Sequence, residues 1–144
     1  MRKLFLDDIR FVEDCVPYMS RRIGEDKAII YYDPDWRVVR NYPQFVTYIY
    51  KEGMPDLISF DHDLAEGHYH QNMQEGKINY DSNDFHYNDM NKTGYHCAKF
   101  LIGYCEDNNI KLPEFIVHSM NPVGTQNIES LLNNYKKHQD ARLQ

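Results

Sequence analysis

Two pairs of aspartates, each following a short apolar segment, are the residues of this sequence best suited to chemistry. Asp7 and Asp8 end the first apolar run, and Asp61 and Asp63 follow Leu57–Phe60. Carboxylates held close together raise one another's pKa unless a cation lies between them. A hard divalent cation prefers carboxylate oxygens and keeps waters that phosphate oxygens can replace. The competing interpretation is that these aspartates only cap turns or helices.

We therefore predict a Mg²⁺ or Mn²⁺ site with Asp7, Asp8 and Asp61 as ligands. His62 and His118 also fall at strand ends, where a neutral imidazole can transfer a proton near pH 7 or bind a metal. Each histidine is also consistent with an ordinary surface residue. Alternation along a strand is expected to point His62 away from the aspartates on either side of it.

Groups that suit a phosphate lie near these acids. Ser119 and Asn121 supply a hydroxyl and an amide, and the helix that begins at Pro122 supplies free backbone N–H groups. The same two side chains would also serve as helix caps. Arg10 follows the first acidic pair, where it would either neutralise the acids or hold a phosphate bidentately. Because no Gly-rich phosphate loop, HExxH or GxSxG motif occurs, phosphate chemistry would rest on the acids.

The pattern of elements indicates how these residues are positioned. Apolar runs predict strands at 4–6, 28–32, 57–60 and 115–117, and helical stripes lie between them. Alternating strands and helices indicate an α/β, flavodoxin-like sandwich with a parallel sheet covered on both faces. We predict the strand order 2-1-3-4. Ligands of such sheets bind at the carboxyl ends of the strands near the switch point, where the two acidic pairs would meet.

Residues 65–91 show neither helical nor strand periodicity and are rich in Asn, Asp, His, Tyr and Gly. We predict a long loop there, of the kind that forms lids, binding loops or disordered insertions. His68, His70 and His86 lie in it with irregular spacing that matches no metal-ligand pattern.

Length and composition limit the classes of protein. The 144 residues, 42% of them hydrophobic, predict a single domain over 1–144, and the net charge of -6 disfavours binding to an extended nucleic-acid duplex. No apolar run approaches the ~20 residues of a membrane span, and no signal peptide is evident, so we expect a cytoplasmic protein. Three cysteines without CxxC spacing predict free thiols. The sequence does not determine the oligomeric state, and a homo-oligomer is one of the possibilities.

The strand-end acids and the segment Phe115–Ser119 resemble a response-regulator receiver domain. The resemblance implies that Asp61 takes the phosphoacceptor position, that Asp7 and Asp8 match the metal-binding acids, and that Ser119 matches the hydroxyl residue contacting the phosphoryl group. A receiver also has a fifth strand with an invariant lysine. This sequence offers no regular fifth strand, and we expect the sheet to lack one.

Four motifs spread along the chain together give a closer resemblance. They are Leu4-Phe5-Leu6-Asp7-Asp8-Ile9-Arg10, Ser59-Phe60-Asp61-His62-Asp63-Leu64, Lys92-Thr93-Gly94-Tyr95 and Val117-His118-Ser119-Met120-Asn121-Pro122-Val123-Gly124 with Asn127. In combination they resemble the cyclic-phosphate processing receiver-like domains of bacteria and their phages. This chain has Ala65 where we expect a glycine after the second motif, which leaves the identity of the substrate open.

This resemblance implies a phosphoesterase-like activity on cyclic phosphates, and our leading hypothesis is metal-assisted hydrolysis of a cyclic phosphate on a nucleotide or an RNA end. The expected catalytic residues are Asp61, His62, Asp63, His118 and Ser119. The expected substrate-binding residues are Arg10, Thr93, Asn121, Gly124 and Asn127.

Two other classes of function stay open from sequence. The first is a protein that captures a cyclic nucleotide or another phosphorylated signal without turning it over, with the long loop closing over the ligand. The second is a receiver-like protein-interaction module without catalysis, which the missing lysine favours. A covalent variant of the hydrolysis, with Asp61 attacking phosphorus, also stays open.

Overall fold

A four-stranded parallel sheet is the framework of the protein, seen in a computed structural model that describes residues 1–64 and 91–142. The strand order is β2-β1-β3-β4, with every neighbouring pair parallel, which confirms the predicted 2-1-3-4 arrangement. No fifth strand joins the sheet within the described ranges. The strands are β1 (Lys3–Leu6), β2 (Trp36–Val39), β3 (Leu57–Phe60) and β4 (Glu114–Val117).

Five α-helices lie between or after the strands in the described part of the chain. They are α1 (Val16–Ile23), α2 (Glu25–Ala28), α3 (Tyr42–Glu52), α4 (Gly94–Asn108) and α5 (Pro122–Arg142), with 3-10 turns at Val12–Cys15 and Ile29–Tyr32. The ends of α3 follow from its sequence, since the side chain of Asn41 accepts from the Gln44 backbone N–H at its start. Gly53, with φ of 83°, ends it. The last helix begins at Pro122, as predicted, and extends to Arg142.

The strand predicted at 28–32 was wrong. Residues Ile29–Tyr32 form a 3-10 turn, and the second strand of the sheet is Trp36–Val39. A short apolar run does not by itself distinguish a buried strand from a buried helical turn. The exposed Arg37 and Val38 show why β2 lacks a continuous apolar signal, since it lies at an edge of the sheet.

Helices cover both faces of the sheet, as predicted. Leu4, Leu6, Ile58 and Phe60 pack into one core with side chains of α3, α4 and α5. Residues of opposite parity, Phe5 among them, pack into a second core with α1, α2 and the two 3-10 turns. Each such side chain contributes roughly 1.5–3 kcal/mol when fully buried. This alternation decides which strand-end residues face the second core.

The long loop predicted at 65–91, with His68, His70 and His86, lies outside the described residues except for Asn91. The three cysteines are buried free thiols. Within the described ranges, no helix combines the length and the apolar character that crossing a membrane requires.

Candidate active site

Strand register brings the site residues into one row. Leu6 pairs with Phe60, and Phe60 pairs with Val117, so the next residue on each strand continues the same row across the sheet. Those residues are Asp7, Asp61 and His118. The backbone N–H of Asp61 donates to Leu6 O at 2.9 Å, and that of His118 donates to Phe60 O at 2.9 Å, which keeps the row aligned past the strand ends.

Asp7 is fully buried and accepts hydrogen bonds at both oxygens. Its Oδ1 accepts from the backbone N–H groups of Ile9 at 3.0 Å and Arg10 at 2.9 Å. Its Oδ2 accepts from His118 Nε2 at 3.0 Å and from the Arg10 guanidinium at 3.4 Å. Burial acts to raise the pKa of Asp7, but the His118 and backbone hydrogen bonds outweigh it and hold this pKa below its usual value. The carboxylate is therefore ionised, with all four of its lone-pair positions engaged by protein donors.

Asp61 is 5% exposed and contrasts with Asp7 in its hydrogen bonding and its pKa. Its Oδ1 accepts from the His62 backbone N–H at 2.8 Å, whereas Oδ2 has no hydrogen-bond partner in residues 1–64 or 91–142. Burial, reinforced by the negative charge of Asp7, raises the pKa of Asp61 to about 7. A buried carboxylate with one unpartnered oxygen is costly unless a cation or a proton accompanies it.

His118 is 1% exposed, and both of its ring nitrogens contact protein groups. Nε2 lies against Asp7, and Nδ1 lies 2.7 Å from Ser59 Oγ. The ring stacks on Phe5, with centroids 4.6 Å apart and planes 6° apart. Burial lowers the pKa of His118, more than the hydrogen bond to Asp7 raises it, so the imidazole is neutral. Both nitrogens are engaged by protein groups, so the geometry does not favour the catalytic role predicted for this residue.

Asp63 forms the exposed part of the acid cluster. Its side chain is 69% exposed and lies 2.8 Å from His62 Nδ1. Asn121 donates to both of its oxygens, at 3.3 and 3.5 Å. The prediction that His62 points away from its aspartate neighbours was therefore wrong for Asp63, because β3 ends at Phe60 and strand alternation does not continue beyond it.

Ser119 and Asn121 form the turn between β4 and α5. The Asn121 backbone N–H donates to Ser119 Oγ at 3.1 Å, and Asn121 Oδ1 accepts from the Gly124 backbone N–H at 3.0 Å. Asn121 thus caps α5, the structural role that the sequence left open. Ser119 accepts at its oxygen, and its own O–H has no acceptor in the described ranges.

A cavity of about 310 Å³ opens over this cluster. It contains three of the four predicted acids, with Asp7 directly behind them, and also Arg10, whose side chain is 31% exposed. Its lining residues are Asp8, Ile9, Arg10, Asp61, Asp63, Ser119, Met120 and Asn121.

The geometry of this cluster fits a cation. One ligand atom each from Asp7, Asp61 and His118 lie within 4.8 Å of one another. Among the described residues Asp61 Oδ2 has no partner, whereas the Asp7 oxygens and both His118 nitrogens already have partners. Asp8 lines the same cavity. Hard oxygen ligands of this kind suit Mg²⁺ or Mn²⁺.

Three residues near the site were missed by sequence reasoning. Arg40 follows β2 and donates to the backbone oxygens of Asp7 at 3.0 Å and Arg10 at 2.7 Å, so it fixes the loop after β1. Ser59 lies between Tyr31 and His118, and its Oγ is 2.7 Å from each. A serine within the apolar run Leu57–Phe60 was the one signal that the sequence offered for Ser59. Nothing in the sequence marks Arg40 or Tyr31.

The model of the family described as cyclic-phosphate processing receiver domain matches residues 2–134. The chain belongs to this family. Searches of curated proteins and of solved structures gave no match.

Two glycines of this cyclic-phosphate processing receiver domain allow close packing at the site. A Cβ on Gly94 would lie 1.8 Å from the backbone oxygen of Asp61, and one on Gly124 would lie 2.4 Å from His62 Cγ. The start of α4 therefore contacts the Asp61 backbone, and the first turn of α5 contacts the His62 ring. Gly124 has this packing role, in addition to any contact with substrate.

The other predicted substrate-binding residues divide between two cavities of the receiver domain. Arg10 and Asn121 line the cavity over the acids, whereas Thr93 and Asn127 line a neighbouring cavity of about 600 Å³. His62 also lines this second cavity, and its contact with Asp63 connects the two. A third cavity, of about 740 Å³ beside β4, is lined by none of the predicted site residues.

Proposed function

We propose that the protein is a metal-dependent phosphoesterase that hydrolyses cyclic phosphates of nucleotides or RNA ends. The observation that carries the proposal is the state of Asp61, a buried carboxylate with an unpartnered oxygen and a pKa raised to about 7. Ionised, it would place a second negative charge beside Asp7, which a divalent cation would offset. Membership of a cyclic-phosphate processing family supports the choice of substrate class.

Asp61 and Asp8 would hold the ion from within the cavity, and Asp7 would add its negative charge from behind. Mg²⁺ or Mn²⁺, when bound, supplies a Lewis acid for a phosphoryl oxygen and lowers the pKa of a water. Asp7 would attract the ion by its negative charge and would not coordinate it, since its oxygens already accept four hydrogen bonds.

Arg10 and Ser119 are placed to bind the phosphoryl group. The Arg10 guanidinium is partly exposed at the cavity and donates to Asp7 Oδ2 through Nη1. A guanidinium can keep that contact and present other N–H groups to a phosphate. The O–H of Ser119 is left to donate to a phosphoryl oxygen, because its Oγ accepts from the Asn121 backbone.

Asp63 is the group we assign to proton removal. It lines the cavity, and His62 Nδ1 and the Asn121 amide orient its carboxylate. A water attacks phosphorus while its proton passes to Asp63, and the P–O bond of the ring breaks. The released alkoxide oxygen takes a proton from solvent, leaving a phosphomonoester. His118 is buried with both nitrogens engaged, so we assign it no proton transfer.

The test is incubation with a panel of 2′,3′- and 3′,5′-cyclic nucleotides and RNA with a terminal cyclic phosphate, each with Mg²⁺ or Mn²⁺. Chromatography should detect a phosphomonoester product from at least one of them. Asp61→Asn should reduce turnover at least a hundredfold, because it removes the negative charge that holds the cation and keeps the side-chain volume. The matched control is Asp107→Asn, an exposed aspartate near the far end of α4, which should keep full activity.

The outcomes separate the classes of function. Turnover lost only in Asp61→Asn supports the phosphoesterase. Ligand retained by the protein and recovered intact indicates a sequestering protein instead, and neither retention nor product indicates an interaction module. Equal turnover in wild type and Asp61→Asn would remove Asp61 from the mechanism.

A further inference from the structure

Four side chains form a continuous buried chain of hydrogen bonds behind the cavity. Tyr31 OH lies 2.7 Å from Ser59 Oγ, which lies 2.7 Å from His118 Nδ1, and His118 Nε2 lies 3.0 Å from Asp7 Oδ2. All four residues are at most 1% exposed. They lie on the same side of the sheet because Ser59 and His118 share strand parity with the residues that face the second core.

The direction of the protons along this chain follows from its two ends. The Asp7 carboxylate is an acceptor, so His118 Nε2 carries a hydrogen and donates it. In a neutral imidazole Nδ1 is then an acceptor, so Ser59 donates its O–H to Nδ1. Ser59 Oγ in turn accepts the O–H of Tyr31. Every hydrogen along the chain then has an acceptor.

If the hydrogen bonds were donated in the opposite direction, one buried O–H group would lack an acceptor. If Nδ1 carried the hydrogen, Ser59 would accept from it and would donate to Tyr31, whose own O–H would have no acceptor in residues 1–64 or 91–142. A buried O–H without a partner is expensive. Coordination of a cation by His118 Nε2 would require that opposite direction, because Nε2 would need its lone pair for the cation.

We propose that Tyr31 and Ser59 are positioning residues that fix His118 as the Nε2–H tautomer, and through it fix the Asp7 carboxylate behind Asp61. His118 then orients Asp7 and does not bind the cation. The consequence for turnover rests on the function proposed above, whereas the tautomer and the geometry of Asp7 do not. Groups that orient a carboxylate near a bound metal commonly change metal affinity 10–100-fold when they are mutated.

The first test is the tautomer of His118 in the wild-type protein, from long-range ¹H–¹⁵N correlation spectra with ¹⁵N-histidine and sequence-specific assignment. The expected spectrum shows a protonated Nε2 and an unprotonated Nδ1, both before and after addition of Mg²⁺. A protonated Nδ1, or an Nε2 signal that moves to a metal-bound shift with Mg²⁺, would overturn the proposal.

The second test compares Tyr31→Phe with Tyr48→Phe. Tyr48 is a buried tyrosine whose hydroxyl contacts Arg2, which precedes β1 at the opposite end of the strand from Asp7, so its variant controls for loss of a buried O–H. We expect Tyr31→Phe to weaken Mn²⁺ binding about tenfold by calorimetry. It should also shift the His118 nitrogen signals, whereas Tyr48→Phe should change neither. Equal Mn²⁺ affinity in the two variants would contradict the positioning role.

Ser59→Ala should weaken Mn²⁺ binding at least as much as Tyr31→Phe. Ser59→Thr keeps the hydroxyl and should restore most of the affinity. If Ser59→Ala does not fold, Tyr31→Phe and the wild-type spectrum still decide the matter. The protein could show the Nε2–H tautomer of His118 and the expected loss of Mn²⁺ affinity in the variants, yet hydrolyse no cyclic phosphate. That result would refute the phosphoesterase and leave this inference supported.

Discussion

Ionising Asp61 in the cation-free protein places a negative charge beside Asp7 in a buried environment. The two aspartates differ in pKa although they are neighbours across the sheet, because within the described ranges Asp7 accepts four hydrogen bonds and Asp61 accepts one. Burial and the Asp7 charge raise the pKa of Asp61 from 3.8 to about 7. The native state therefore binds a proton at Asp61 in a range of pH where the unfolded chain does not.

We predict that the free energy of unfolding of the cation-free protein falls as pH rises from about 4 to about 7, because Asp61 loses its proton in the folded state. A pKa raised in the folded state gives the native protein the extra proton in that window, so its free energy of unfolding falls as pH rises. At about 1.4 kcal/mol per pKa unit, the loss amounts to at most about 4 kcal/mol. Urea denaturation in EDTA, at several pH values, measures it.

Asp61→Asn provides the comparison. The advantage of the variant over wild type should be small near pH 4, should grow up to about pH 7, and should stay constant above it. Asp107→Asn, with the same change in charge, should show no such growth. An advantage of Asp61→Asn that is the same at pH 4 and pH 8 would contradict the raised pKa.

Elements differ in how far the sequence determines them. β1, β3 and β4 were predicted correctly, since an apolar run that ends abruptly in a polar residue is typical of a strand buried on both faces. β2 was missed because Tyr31 and its neighbours form an apolar run that the fold uses as a 3-10 turn. The same error concealed the Tyr31–Ser59 contact, since side chains 28 residues apart meet only after the turn packs on the sheet.

The candidate site was more predictable than its supporting contacts. The carboxyl ends of neighbouring parallel strands meet at one edge, so the convergence of Asp7 and Asp61 follows from strand order alone. The hydrogen bonds that distinguish their two states depend on loop conformation. The bonds from the Ile9 and Arg10 backbone N–H groups to Asp7 Oδ1 are the turn capping that the sequence left open, but the sequence did not say which aspartate would form them. No pattern in the sequence assigns Arg40 to this loop.

At the scale of an element, a substitution at Gly94 tests whether the start of α4 must lie against the Asp61 backbone. Gly94→Ala would place a Cβ 1.8 Å from the Asp61 backbone oxygen, and neither backbone can yield without moving the strand end. We expect a loss of about 3 kcal/mol or more in the free energy of unfolding, from urea denaturation.

Gly103→Ala is the matched control in the same helix. A Cβ there would meet no atom within 4 Å among the described residues outside its own turn of helix, and alanine in a helix interior is worth roughly 0.5–1 kcal/mol over glycine. This variant should therefore stabilise the protein. Equal effects of the two substitutions would show that helix propensity, rather than contact with Asp61, governs position 94.

For the whole molecule, the acid cluster adds to an overall charge of -6, so cations can act on it in two ways. Any salt screens repulsion among exposed carboxylates, and a bound divalent ion also neutralises the buried pair. Screening depends on ionic strength alone, whereas occupancy of a site depends on the identity of the ion and on Asp61. Thermal unfolding can separate the two effects.

We predict that Mg²⁺ or Mn²⁺ at about a hundredfold excess over its dissociation constant raises the free energy of unfolding by about 2.7 kcal/mol. For a chain of this length that corresponds to an increase in Tm of roughly 6–10 °C. NaCl at matched ionic strength should give a much smaller increase, and so should Mg²⁺ or Mn²⁺ added to Asp61→Asn. Asp107→Asn should respond to the divalent ion like the wild type, because it keeps the buried pair. An equal shift with NaCl, or an undiminished one in Asp61→Asn, would mean that divalent ions act by screening and that Asp61 holds none.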